Sequence, residues 1–175
     1  MFELPDPMPF YKLVWEIVRQ IPTGTAATYG QIASMIPTPE GVEPDDYAKL
    51  GPRWVGDAMN AVSRVDEPTI PWHRVINAKG GISLPETSKA AALQRARLRD
   101  ERVLLDNDER VNLDEFGWEG PSEQWLDDHD LKAPRALRKP KPSKQSSKPS
   151  SAPDVSSKPS SSDDSDDIPQ QMSLF

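Results

Sequence analysis

Apolar residues near the start of the chain recur with a helical period. Phe10, Leu13, Val14, Ile17, Val18 and Ile21 fall at i, i+3, i+4, i+7, i+8 and i+11, which predicts one amphipathic helix within the first 21 residues. Pro22-Thr23-Gly24-Thr25 ends it. A second stripe, Tyr29, Ile32, Ala33 and Ile36, follows Thr28, whose hydroxyl can cap the first amides while Gln31 stands at the spacing to reach back. Residues 37–51 mix proline with Glu40, Glu43, Asp45 and Asp46 and read as a long loop. Pro52 suits a first helical turn, so a third helix is expected from it through Val55, Met59 and Val62 to about Val65.

Beyond that point the pattern shortens. Val75-Ile76 and Gly81-Ile82-Ser83 flank Asn77-Ala78-Lys79-Gly80 and predict a small hairpin. The stretch from Glu86 to Arg102 is rich in Ala, Leu, Gln and Arg and predicts a helix from propensity more than from period. Val103-Leu104-Leu105 and Val111-Asn112-Leu113 read as short strands around an Asp106–Arg110 turn, and Trp118 and Trp125 as the seal of the domain. From Ala133 to Pro169 the chain is Ser, Pro, Lys and Asp, a composition that buries too little apolar surface to offset its ordering entropy. The organisation expected is a folded domain over 1–132, a disordered linker over 133–169 and a distinct C-terminal peptide over 170–175. The fold class expected is mainly α: a winged helix-turn-helix domain with a small β-hairpin, followed by a disordered tail. The connection between the two middle helices is long for that motif.

Composition narrows the chemistry. The chain has no cysteine, which excludes disulfides, thiolate metal sites and thiol nucleophiles. His73 and His129 are its two histidines, so neither a metal site nor a cofactor is expected. No apolar run approaches the length of a membrane span and no leader is visible, so an intracellular protein without a membrane partner is expected. The net charge of −7 argues against nucleic acid until its distribution is considered. Residues 133–148 carry Arg135, Arg138, Lys139, Lys141, Lys144 and Lys148 without an acid, ahead of the cluster Asp163, Asp164, Asp166 and Asp167. An anion-binding surface on the domain must therefore be a local patch.

Three blocks carry a resemblance: "IPTGTAATYGQIA", "RWVGDAM" and "PWHRVINAKGGIS". In this order and approximate spacing, residues from about Phe10 to Trp118 resemble the DNA-binding domain of O6-alkylguanine-DNA alkyltransferases. Active members have cysteine between the proline and histidine of the third block; Trp72 stands there, as in the alkyltransferase-like branch. Indole has no comparable soft lone pair and does not ionise near neutrality, so this chain cannot take up an alkyl group by a thiol. It is not expected to be an enzyme.

The resemblance implies roles for particular residues. Tyr29 matches the tyrosine that pushes on the phosphate of an extruded nucleotide, and Arg53 the arginine that fills the vacated space. The helix beginning near Arg53 matches a recognition helix that enters the minor groove, with Gly56 and Ala58 small enough for close approach. Trp72 would wall the pocket for the alkylated base. Pro71, Trp72, His73, Arg74 and Glu101 occupy degenerate active-site positions, with His73, Arg74 and Glu101 left to structural work. Trp54 would either widen the intercalating wedge or pack inside. No acid stands convincingly beside Trp72, and Leu84-Pro85 supplies no basic residue where a relative has one.

The implied function is a non-enzymatic DNA-damage sensor that flips O6-alkylguanine in duplex DNA through the minor groove and flags it to excision-repair proteins. A winged-helix regulator without lesion preference is the alternative, and a glycosylase using one of the many carboxylates a further one. Gln171-Met172-Ser173-Leu174-Phe175 resembles the pentapeptide by which bacterial proteins dock on the DNA sliding clamp; a long linker would let it reach. A monomer is expected, bacterial and nucleoid-associated in the cytoplasm, or nuclear in a eukaryote.

Overall fold

The first apolar stripe folds as predicted. In the computed structural model, which describes residues 3–138, α1 runs Met8–Arg19 and buries Phe10, Val14, Ile17 and Val18. β1 (Ala27–Thr28) leads directly into α2 (Tyr29–Met35). Thr28 caps α2, its hydroxyl accepting from the Gln31 amide at 3.1 Å. The reciprocal half of the capping box is absent. The Gln31 amide group donates instead to the Trp118 carbonyl at 2.7 Å, tying α2 to the chain's later turns.

α3 corrects the expected long loop. It spans Pro44–Asn60, with Pro44 in its first turn followed by Asp45 and Asp46, so the α2–α3 connection is far shorter than expected. Pro44 and Pro52 both carry a helix-start signal, and tertiary packing decides between them. Tyr47 and Gly51 are buried, and the Tyr47 hydroxyl donates to the Ala33 carbonyl at 2.9 Å. A Cβ on Gly51 would lie 3.1 Å from that of Ala33, so glycine lets α2 and α3 approach closely here. Those contacts hold the earlier turns helical, and Pro52 lies inside α3, where its ring removes one backbone hydrogen bond. The helix also stops short of Val65, giving way to turns at Asn60. Trp54 packs edge-on against Phe10 in the core, which settles its role as interior.

The hairpin is the second correction. Val75–Ile76 forms β2, but its partner is β1, in parallel, with Ala27 opposite Val75 and Thr28 opposite Ile76. The 77–81 turn does close, through Asn77 N–H to the Gly81 carbonyl at 2.9 Å, without a second laddered arm. A 3₁₀ turn, Trp72–Arg74, precedes β2. α4 (Lys89–Asp100) is capped by Ser88, and the Gln94 side chain donates to the carbonyls of His73 and Val75, fixing α4 against that turn. The short strands expected over 103–105 and 111–113 reduce to one antiparallel bridge, Leu105 to Val111, because Asn112 caps a helix that Leu113 opens. α5 (Leu113–Phe116) and α6 (Glu123–Asp128) close the domain around buried Trp118.

The protein is thus mainly helical with a two-stranded sheet, its α1–α3 core joined by Ile70, Val75, Trp118 and Leu126. A smaller cluster of Ala26, Ile76, Leu98, Val103 and Val111 lies beside it. Among the described residues no helix is long and apolar enough to cross a membrane, and no cluster of acids and histidines could hold a metal ion. Residues 133–138, expected as linker, continue along the domain: the Arg135 amide donates to Ser34 Oγ at 2.9 Å. The rest of the linker and the 170–175 peptide lie outside the described residues.

Candidate nucleic-acid interface

Four of the five residues expected on a DNA-binding face converge. Tyr29, Arg53, Gly56 and Trp72 line one open cleft of about 1020 Å³. The fifth, Ala58, does not. It is fully buried on the opposite side of α3, where its carbonyl accepts from the Trp15 indole at 2.8 Å. The helical period explains this: Gly56 and Ala58 are two residues apart and so cannot share a face.

Tyr29 opens α2 half-buried at the cleft. Burial raises its phenol above the ordinary value, with the nearby Ser83 hydroxyl offsetting part of the effect. The phenol therefore keeps its proton at neutral pH and can donate a hydrogen bond. Its ring lies 4.0 Å from where a Gly56 Cβ would stand, so Gly56 leaves room beside it. Arg53 projects from α3, exposed, with no side-chain hydrogen bond or ion pair among the described residues. Glu40, Glu43, Asp45 and Asp46, whose charge would repel a phosphate, do not line the cleft.

Trp72 has neighbours that sequence reasoning missed. Its indole N–H donates to Glu67 at 3.1 Å, and the Arg97 guanidinium lies over its ring at 5.6 Å. Arg97 and Glu67 are themselves ion-paired at 2.5 Å. The turn that brings Glu67 here is closed by amides of Thr69 and Ile70 on the Asp66 carbonyl. An acid does stand beside Trp72, then. The indole and guanidinium hydrogen bonds hold its carboxyl below the ordinary range, so it has no proton to give as a general acid. Arg97 lines the neighbouring depression rather than the cleft, and so backs the ring from behind.

That depression also holds Pro71, His73, Arg74 and Glu101. Arg74 grips Glu101 with two bonds, Nε at 2.8 Å and Nη2 at 2.6 Å, and donates to the Ile21 carbonyl and the Thr23 hydroxyl. His73 Nε2 meets Glu101 at 2.7 Å, while its Nδ1 is buried without a hydrogen-bond partner among the described residues. Burial opposes ionisation of Glu101, but the hydrogen bonds from Arg74 and His73 outweigh it and hold the carboxyl at about 2. Burial also lowers His73, with Glu101 pulling the other way. The network explains why "IPTGT" and "PWHRV" occur together: Arg74 and Glu101 staple the 21–24 loop to the end of α4.

The geometry, an open cleft beside a helix-turn-helix pair with tryptophan in a Pro-Trp-His-Arg turn, agrees with a family match. The model of the "6-O-methylguanine DNA methyltransferase, DNA binding domain" covers residues 9–103. The chain belongs to this family. Alkyltransferase-like protein 1 of Schizosaccharomyces pombe is 36% identical over 113 residues, 62% of this chain and 94% of that relative. A protein of Escherichia coli named DNA base-flipping protein is 32% identical over 109 residues, 62% of this chain and 74% of that relative. A solved structure of S. pombe Atl1 with damaged DNA containing O6-carboxymethylguanine is 32% identical, with a TM-score of 0.48, covering 67% of this chain and 98% of that one. This member of the family has no cysteine anywhere in its sequence.

Proposed function

We propose that this protein is a non-enzymatic sensor of alkylated guanine in duplex DNA. It binds through the minor groove, extrudes the base into the cleft and leaves it chemically unchanged. The observation that carries the reading is Trp72, at the family's acceptor position, on the same cleft as Tyr29 and Arg53. The names of the relatives, alkyltransferase-like and base-flipping, support it.

The energetics are reasonable. Extrusion costs roughly a few kcal/mol and less for a poorly paired alkylated base. Contact of the base with an aromatic face returns about 1–3 kcal/mol. Arg53, unpaired and exposed, is free to occupy the gap left in the stack, and the protonated Tyr29 phenol can donate to the backbone phosphate. Held in this way, the extruded base marks the site for excision-repair proteins. The peptide Gln171–Phe175 adds a route to the sliding clamp, which a pull-down with and without those residues would test.

Competition between O6-methylguanine and unmodified duplexes in a gel-shift assay tests the central reading. Preference for the lesion is expected, and equal affinity would overturn it. Arg53→Ala should weaken lesion binding; an unaffected variant would remove Arg53 from the intercalating role. No base and no alkyl group should leave the DNA on prolonged incubation.

A further inference from the structure

We propose that Arg135, carried by the segment after α6, is a backbone-phosphate contact that this chain adds to the rim of its DNA-facing cleft. The inference rests on the reading above, that the cleft receives a base from duplex DNA. Its residues lie beyond 9–103, the stretch the family model covers.

The segment is fastened on both sides of Arg135. Before it, the Lys132 amide donates to the Met35 carbonyl at 2.7 Å, and the Pro134 ring packs on Gly120. Any Cβ at Gly120 would lie 2.4 Å from Pro134 Cγ, and its φ of +106° also calls for glycine. At Arg135 itself the backbone N–H is held by Ser34 Oγ. After it, Leu137 lies against Gly117, and Arg138 donates to the Glu115 carbonyl at 3.1 Å and pairs with Glu119 at 3.5 Å.

The two arginines of this segment are used differently. The Arg138 guanidinium is occupied by the domain. The exposed Arg135 guanidinium has no acid or carbonyl partner among the described residues, although its backbone is fixed. Its Nη1 lies over the bare Cα of Gly30, 3.7 Å from where a Cβ would stand, next in sequence to Tyr29. Arg135 lines the same cleft as Tyr29, Arg53 and Trp72.

Charge at the rim supports a phosphate as its ligand. Arg53, Arg64 and Arg135 face Asp57 and Glu67 there, and Glu67 is already neutralised by Arg97. The rim is thus locally cationic on a chain whose net charge is −7. A base reaching Trp72 brings its own phosphate and those of its neighbours to this rim. A guanidinium fixed at its root and free at its tip matches a phosphodiester's paired oxygens.

Fluorescence anisotropy of the full chain over a salt series tests this, with duplexes carrying and lacking O6-methylguanine. Arg135→Ala should weaken both duplexes by the same factor, about threefold or more at low salt, and lower the slope of log Kd against log salt by about one. Arg135→Lys, which retains the charge, should keep the wild-type slope. A wild-type slope in Arg135→Ala, a loss confined to the lesion duplex, or failure of Arg135→Lys to retain the slope would each overturn the proposal. Wild-type protein that binds both duplexes equally would sink the lesion reading alone, since the slopes still decide Arg135. Wild-type protein that binds neither duplex would sink both.

Discussion

Trp72 stands at the rim of an open cleft, held by Glu67 and Arg97, whereas His73 and Arg74, the next residues of the same 3₁₀ turn, sink into a network around Glu101. The arrangement on the cleft side leaves the ring partly exposed, with one hydrogen bond and one cation at its back. On the interior side, Arg74 alone reaches Glu101, Ile21 and Thr23, and little of Arg74 or Glu101 is exposed. These interior residues join the 21–24 loop to α4, so their bonds carry architecture. The ring on the cleft side is held more lightly. Substitutions on the two sides should therefore separate stability from recognition.

The largest effect is expected inside. Arg74→Ala leaves Glu101 ionised and short of its principal partner, which should cost about 3 kcal/mol, the low end for breaking a buried pair by removing one member. Chemical denaturation checks it. The same network predicts a pH dependence. The folded pKa of Glu101 is depressed, so its stabilisation is present above the unfolded value of 4.5 and is lost as pH falls through 4.5 towards about 2. The folded pKa of His73 is also lowered, so stability begins to decline as pH drops below its unfolded value of 6.5. Melting temperature measured against pH should fall on the acid side, and Glu101→Gln should flatten the part below pH 4.5. A curve unchanged by Glu101→Gln would break the contrast between the two sides.

The next effect lies on the cleft. Trp72→Ala should lower affinity for the lesion duplex by about 5- to 150-fold, from roughly 1–3 kcal/mol of base–aromatic contact. Unmodified duplex, whose base stays stacked, should be nearly unaffected, and the variant should unfold like the wild type. Equal losses for both duplexes would make Trp72 a structural residue like its neighbour.

These two sides were unequally legible in the sequence. That Tyr29, Arg53, Gly56 and Trp72 share one cleft was readable, because two local helices and the turn before β2 present them together. The α1 stripe was readable from period alone. Ala58 was misplaced because its small size was weighed without its helical phase. The start of α3 was misjudged because two prolines carry the same signal, and only burial of Tyr47 and Gly51 against α2 separates them. Glu67 and Arg97 carried no signal, and Arg135 was visible only as one cation of the basic run over 133–148. Glu67 depends on a particular turn, Arg97 on how α4 is set against the 3₁₀ turn, and Arg135 on docking of a segment whose composition reads as linker.

Glu67 gives the smallest and most discriminating effect. The substitution Glu67→Gln keeps an oxygen that can accept the indole N–H but removes the charge that pairs with Arg97. If the clamp only steadies a ring that the turn already positions, lesion affinity should fall by less than in Trp72→Ala, and denaturation should match the wild type. The indole N–H resonance of Trp72 should shift, because a carboxylate acceptor has become a neutral amide. In the wild type that resonance should hold steady through neutral pH and move only below the ordinary glutamate range, since Trp72 and Arg97 keep Glu67 ionised. A loss of lesion binding as large as that of Trp72→Ala would mean that the ion pair itself sets the ring. The cleft side would then be as tightly specified as the interior, and the distinction between a buried staple and an adjustable reading surface would fail.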